Sequence, residues 1–423
     1  MRRSIGRSAA AVLCAAAILG MSGCSDVFET TVYNEDNKEI SFSWWGGDDR
    51  NERTLMGLAV FKEQYGITVR PEYSEFEGFK KKMDSQLISG NEADVMQLNY
   101  DWLYQYSPDG EGFYDLSLLS AVVDLSTYPE GSLECGTING KLIAVPYSFN
   151  AQTFIYNRTM YERYGLELPR TWDDLFDAAK VMVPDGVHPM AMTEKNIWLC
   201  SCAYFEQTTG RKLFDGTDRL DLSADDYEIL IGFACDLLDK GVTRLGSQYD
   251  RQDLARGQVA GVLTWASDPG YFEKAAWENS FSIEIGDYLT TADPKLYGWY
   301  VKPTGVYAVS KDTKEPQAAG KLLNYLINSS DMAAMLEMSK GVPVSRSAME
   351  TLEARDLLDG IEHKATQKIN DTPQLGVMSP YIENDGFITA FTDLYTEVYY
   401  GRSTVEEAAA QAVETMNSIR IVW

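Results

Sequence analysis

The chain has 423 residues, with 63 acidic against 37 basic side chains and a formal charge of −26. A surface this acidic repels polyanions, which argues against nucleic acid as a partner, and the length is enough for two lobes with full cores. Cys135, Cys200, Cys202 and Cys235 are too scattered for a zinc site, and buried free thiols are expected, with a disulfide as the alternative.

At the N-terminus, Arg2, Arg3 and Arg7 precede an apolar stretch over 9–19 and then small residues up to Gly23, the pattern of a secretory signal peptide over 1–23. The stretch is too short to be a comfortable permanent span. Met21-Ser22-Gly23-Cys24 resembles a lipobox, which makes Cys24 a lipidated N-terminus and 24–38 a polar tether. Ordinary cleavage near Gly23 with free secretion is the alternative. The leader carries three of the basic residues and no acid, so the mature chain is left at about −29. No other segment is apolar enough to cross a membrane.

The first elements alternate. The spacing predicts a strand over 39–46 and a helix over 50–65, started by Asp49 and Glu52 at capping-box spacing, faced by Leu55, Leu58 and Phe61, and stopped at Gly66. Next come a strand ITVRPEYS, a helix with Phe79, Met83 and Leu87 in register, a strand DVMQLN and an aromatic-rich loop YDWLYQYSPDGEGFYD. Strand, helix, strand, helix, strand implies parallel pairing, and the carboxyl ends of such strands converge on a ligand crevice. That places Trp45, Asp48 and Asp49, then Glu75, then Asp101 and Trp102 on one crevice, while Trp44 alternates with Ile40 and Phe42 into the core. Aromatic faces mixed with carboxylates and amides suit a sugar, whose C–H faces stack on indoles and whose hydroxyls donate to acids.

Further on, TINGKLIAVPY predicts a hairpin turning at Asn139-Gly140. A strand to Tyr156, a helix, a second helix capped at Thr171, a long helix after Ser223 and a strand VAGVLTWA ending at Trp265 outline a second α/β region over about 148–303. No repeat, low-complexity tract or Gly/Ser linker divides the chain.

Taken in order, WWGGDDRNERT, ADVMQLNYDW, NGKLIAVPYSFNAQTFIYNRTMYERYG with LPRTWDDL behind it, GVPVSRSAMETL and YYGRSTVEEAAAQAVETMNSI resemble the extracellular solute-binding proteins of ATP-driven sugar importers, the oligosaccharide branch that includes maltose-binding protein. The resemblance covers nearly everything after Glu39. It implies an α/β, two-lobed type II periplasmic-binding-protein fold, each lobe a mostly parallel sheet flanked by helices. The implied lobes are 39–147 plus 304–352 and 148–303 plus 353–423, with crossings near Tyr147, Thr304 and Leu352.

Carried over by position, the resemblance implies ligand contacts at Asp48 or Asp49, at Asp101, at Asn150 where that branch carries a glutamate, at an aromatic platform at or beside Trp265, and at Tyr381 in TPQLGVMSPY. Trp198 and Trp299 are further candidates for the second wall, with core packing the alternative for Trp198. The expected partners are a carbohydrate and permease subunits, for a monomer held on the extracytoplasmic face of the membrane by its lipid; no cofactor or metal is implied.

Two other classes stay open. A glycoside-active enzyme could use a carboxylate pair such as Asp48 and Asp101. His188 and His363 lie in unpromising contexts, and no serine elbow, HExxH or phosphate-cradling loop is present, so binding is preferred over catalysis. A binding protein for a peptide or a polyamine would also use acids and aromatics.

Overall fold

The two tryptophans of ISFSWWGGDD part company at the end of strand β1 (Glu39–Trp45). In the computed structural model, which describes residues 38–421 apart from 215–218 and 359, Trp44 is fully buried between Phe42 and Tyr73, each ring 4.9 Å away. Its indole N–H donates to Asn51 Oδ1 at 2.9 Å, and Asn51 Nδ2 donates to Gly46 O at 2.9 Å, which locks the turn into helix α1 (Asp48–Tyr65). The expected capping box is not made: Gly47 occupies the N-cap without a side-chain bond, because the helix begins two residues earlier than the spacing predicted. Gly66 does end it, in the left-handed conformation.

Strand β2 (Thr68–Ser74), helix α2 (Phe76–Ser89) and strand β3 (Val95–Leu98) follow, and β1 pairs in parallel with both β2 and β3, as expected of this alternation. The stretch read as an aromatic-rich loop begins instead as helix α3 (Tyr100–Tyr106), with Tyr100, Trp102 and Leu103 turned into the core. The hairpin of β4 (Thr137–Ile138) and β5 (Lys141–Leu142) turns at Asn139 and Gly140, with φ of +49° and +80°, the values a two-residue hairpin requires.

Strand β6 (Val145–Asn157) is the longest of the sheet. Helices α4 (Arg158–Arg163), α5 (Trp172–Met182), α6 (Glu194–Thr209) and α7 (Ala224–Asp239) come next, the last three started by capping boxes at Thr171, Thr193 and Ser223. Then come β7 (Gly261–Trp265), α8 (Pro269–Glu278), β8 (Ile283–Ile285) and β9 (Tyr300–Val309). The rest is α9 (Pro316–Asn328), α10 (Ser330–Leu336), α11 (Arg346–Ala354), α12 (Gly360–Asn370), β10 (Gly376–Val377), α13 (Asp385–Tyr399) and α14 (Val405–Thr415).

The strands run in the order β2-β1-β3-β9-β6-β7, with β10 beside β9 and β8 beside β6. Among the named strands, parallel pairing joins β1 to β2 and β3 and β9 to β10, with a single parallel bridge from Ala191 to Val262 of β7; β6 and β9 run antiparallel to each other, β9 antiparallel to β3, and β6 antiparallel to β7 and β8. The fold is therefore α/β and two-lobed as expected. One core packs Phe42, Trp44, Phe61, Tyr307 and Leu322, and the opposite face of its sheet packs Phe79, Leu98, Trp102 and Val306. The other lobe is built on Phe154, Trp172, Trp198, Phe233, Trp299 and Phe391.

Cys135, Cys200, Cys202 and Cys235 are free and buried. No helix among the described residues is long and apolar enough to cross a membrane; the leader and Cys24 lie outside them.

Two of the sequence's site candidates belong to this second core. Trp198 is fully buried with its indole N–H on Ile382 O at 2.7 Å, and Trp299, 3% exposed, donates to Leu289 O at 2.7 Å. Neither offers a face to a ligand, a correction whose physical cause is that both polar handles are satisfied inside the lobe. Trp198→Ala is accordingly expected to cost about 3–5 kcal/mol of unfolding free energy in urea titration; a loss below about 1 kcal/mol would contradict its place in the core.

Candidate functional site

Because β6 and β9 run through both lobes, the residues on their shared stretch lie at the floor of whatever separates those lobes. Two cavities adjoin there, one of about 400 Å³ and one of about 510 Å³, and both are lined by Asn150, Ser267 and Thr304. Together they form one groove, in the size range of small-molecule sites. A larger cavity of about 690 Å³ lies away from it, between Arg158, Arg170 and Lys368 and the acids Glu284 and Asp287 with which they pair.

At one end of the groove stands Trp265, half-buried at the close of β7. Lys302 Nζ lies 4.1 Å from its ring centroid and Lys195 Nζ 5.6 Å. Both ammonium groups pair with the carboxylate of Glu383. Burial works against ionising Glu383, but the two lysines outweigh it and hold its pKa below the usual range. For Lys302 burial dominates and lowers the pKa, helped by Lys195 and opposed by Glu383, as expected when two cations share one anion. Asp101, at the start of α3, also faces this end; burial raises its pKa against backbone N–H groups and Lys302, and Asn99 Nδ2 donates to it at 2.6 Å.

On the floor, Asn150 is 8% exposed; its Nδ2 donates to Ser267 Oγ at 2.9 Å and its Oδ1 accepts from the N–H of Ala151 at 3.1 Å. The other end is lined by Trp45, Arg50, Tyr147, Lys340 and Glu362.

The sequence candidates thus divide. Trp45, Asp101, Asn150 and Trp265 share the groove. Trp102 does not: it is 4% exposed and packs against Phe76, Phe79 and Trp45, so the first wall presents Trp45 instead, a correction that follows from α3 turning the indole inward. Asp48 and Asp49 are exposed on the first turn of α1, where Asp49 pairs with Arg53, and it is the following residue, Arg50, that lines the groove. Glu75 is exposed at the N-cap of α2. Tyr381 lines an adjoining cavity of about 280 Å³ with Tyr100, Tyr104 and Phe214. Of the carboxylates named for the enzyme reading, Asp101 lines the groove and Asp48 is not among the residues that do; the acids that share the cavity with Asp101 are Glu383, held by two lysines, and Asp385.

Sequence reasoning passed over the cations Arg50, Lys195, Lys302 and Lys340 and the acid Glu383. One signal was available: Lys302 interrupts an otherwise uncharged strand YVKPTGVYAV, and a charge inside a strand needs a partner or a purpose.

Residues 50–333 match the family model of the bacterial extracellular solute-binding proteins, and the chain belongs to that family. It serves ABC transporters, as the sequence resemblance implied. The putative ABC transporter periplasmic-binding protein YcjN of Escherichia coli is 22% identical over 375 residues, 84% of each chain. Among solved structures, a periplasmic oligogalacturonide-binding protein from Yersinia enterocolitica is 27% identical, covering 89% of this chain and 97% of that one at a TM-score of 0.80. A de novo designed cysteine esterase is also 27% identical, with the same coverage and a TM-score of 0.84. The described cysteines of the present chain are unlike nucleophiles: burial raises the pKa of every one, to about 12 for Cys135 and Cys235.

The Lys195–Glu383–Lys302 cluster makes a pH-dependent prediction. Because the folded pKa of Glu383 is depressed, its contribution to stability is present above the ordinary carboxylate range and is lost as pH falls through the folded value. Glu383→Gln should cost about 2–3 kcal/mol at neutral pH, less than for a fully buried pair because the groups keep some exposure. Parent and variant should converge in acid, and denaturation curves that stay parallel down to low pH would disprove the assignment.

Proposed function

We propose that this protein is the receptor of an ABC importer that takes a sugar, an oligosaccharide by preference, into the groove over β6 and β9 and delivers it to a permease by closure of the lobes. The observation that carries the proposal is the groove itself. It combines an indole at Trp265, the amide of Asn150 and the hydroxyls of Ser267 and Thr304 at a place where both lobes contribute walls. An indole face and a ring of donors and acceptors are what a carbohydrate needs. The Yersinia neighbour, by its title, binds an oligogalacturonide, which supports a sugar ligand.

A polyamine is disfavoured, since Arg50, Lys195, Lys302 and Lys340 line or border the groove and a cationic ligand would meet them. Catalysis is disfavoured by the exposure of Asp48 outside the groove that Asp101 lines and by the buried thiols. The moving bodies we assign are 39–147 plus 304–352 and 148–303 plus 353–423, with the crossing strands as the hinge. The protein acts as a monomer, tethered on the extracytoplasmic face through a lipid on Cys24.

Three experiments test this reading. A thermal-shift screen over mono- and oligosaccharides should raise the melting temperature for at least one sugar, by linkage to the folded state. With that sugar, Trp265→Ala should weaken binding in calorimetry by about 2–4 kcal/mol while the protein still folds. A panel in which no sugar binds, or one that is shortened by the protein, would sink the proposal. For the tether, Cys24→Ala should move the protein from the membrane to the soluble fraction, since the acyl chains supply the anchorage; a variant that stays with the membrane refutes the lipid.

A further inference from the structure

The end of the groove opposite Trp265 brings two cations, Arg50 and Lys340, beside one carboxylate, Glu362, with which neither of them pairs. Lys340 is 6% exposed, and its Nζ donates to two neutral oxygens, Gln97 Oε1 at 2.9 Å and Tyr307 OH at 2.8 Å. An ammonium has three donors, so one is left over. Arg50 lines the same cavity, and the bond that ties it down is from Nη2 to the carbonyl of Ser339 at 2.6 Å; its Nε is buried with no acceptor. Among the described residues neither cation has an ion pair, although 63 acids are available in this chain to supply one. The carboxylate at this end, on Glu362, accepts from the N–H of Gly270 at 3.0 Å.

A buried lysine beside a half-buried arginine costs folding free energy unless an anion meets them. Rings of Phe42, Tyr147 and Tyr307 lie 5.1–5.8 Å from Lys340 Nζ and offset part of that cost, but ring quadrupoles do not neutralise two charges. Burial first and the Arg50 guanidinium second push the pKa of Lys340 well down, so an anion beside it would favour the charged form. The opposite end differs: there Glu383 already sits between Lys195 and Lys302.

We infer that the Arg50–Lys340 end of the groove receives an oxyanion carried by the sugar, so that the ligand is an acidic saccharide, a uronate or a sugar phosphate, and not a neutral one. The inference rests on the sugar-receptor reading above. Arg50 brings a planar fork suited to a carboxylate or phosphate edge, and Lys340 adds a point charge behind it. The cavity of about 510 Å³ at this end leaves space for the anionic residue, while the remainder of the saccharide runs over Asn150 toward Trp265.

The test compares matched ligands by calorimetry: digalacturonic acid against its dimethyl ester, and glucose 6-phosphate against glucose. At least one acid should bind about tenfold or more tightly than its neutral counterpart, the scale of a hydrogen bond to a charged group, and which acid does so tells carboxylate from phosphate. In Arg50→Gln, shown to be folded by its melting temperature, that ratio should fall below about threefold, while Arg50→Lys should retain a clear preference. If Arg50→Gln does not fold, Lys340→Met is read by the same ratio. Equal binding of acid and neutral partner overturns the inference, as does a preference that survives both neutral variants, since the anion would then be read elsewhere. Failure of both acids to bind while a neutral sugar from the screen binds overturns the inference and leaves the sugar-receptor reading standing; if no sugar of either kind binds, that reading falls and the inference with it.

Discussion

The pairing of β6 with β9 is the constraint on which the rest of the molecule depends. Val145 pairs with Tyr307 inside one lobe, and six residues later Ala151 pairs with Val301, where the second core begins. Beyond that point β6 leaves β9 and takes β7 and β8 as neighbours. A single strand therefore supplies backbone bonds to two cores, and its own buried backbone groups are satisfied on both sides of the crossing. The register slips at Ser148, where an irregularity bends the strand. That bend lies beside Asn150, on the floor of the groove.

Charge is distributed to match. Most of the acids of a chain at −26 stay at the surface, and the cations that enter the groove are distributed unequally. At Trp265 two lysines share the carboxylate of Glu383, and Asp101 stands beside them as a second acid. At Trp45 the two cations, Arg50 and Lys340, have no ion pair among the described residues, although the Glu362 carboxylate lines the same cavity. Two ends of one groove thus have different electrostatic character, and an elongated ligand with one charged residue would be oriented by that difference before any finer contact formed.

Much of the architecture could be read from the sequence because it depends on local rules. Thr171 and Ser223 begin helices since a hydroxyl three residues before a carboxylate satisfies both orphan N–H groups, and Asn139-Gly140 turns because only such residues accept two positive φ angles in succession. Asn150 and Trp265 were legible through the resemblance, and Asp101 also through its place after the third strand. Trp102 differs because the aromatic run YDWLYQY reads as a loop in sequence: in an extended segment the indole could face the crevice, whereas as the third residue of α3 it turns inward onto Phe76 and Phe79. Arg50 and Lys340 were invisible for a different reason. A lysine in MSKGVPV and an arginine after two acids look like solvated charges, and only long-range packing, 290 residues apart in sequence, puts them into one pocket.

The loop that delivers Lys340 shows how much the fold invests in that position. Glu337, at the end of α10, has a φ of +49°, and Gly341 one of +88°. A left-handed non-glycine residue costs on the order of 1–3 kcal/mol and persists only when its surroundings determine it. Here they do: Ser148 Oγ donates to Lys340 O at 2.7 Å, Val344 N–H donates to Tyr147 O at 3.2 Å, and a Cβ on Gly341 would meet Ser148 Oγ at 2.8 Å. The loop is thus fastened to β6 at the bend, and through Ser339 O it holds Arg50. A surface lysine needs none of this. Strain at Glu337, a glycine forced by close approach and a buried ammonium fall within five residues of one loop, and together they make the lysine a built part of this end of the groove and not an accident of packing.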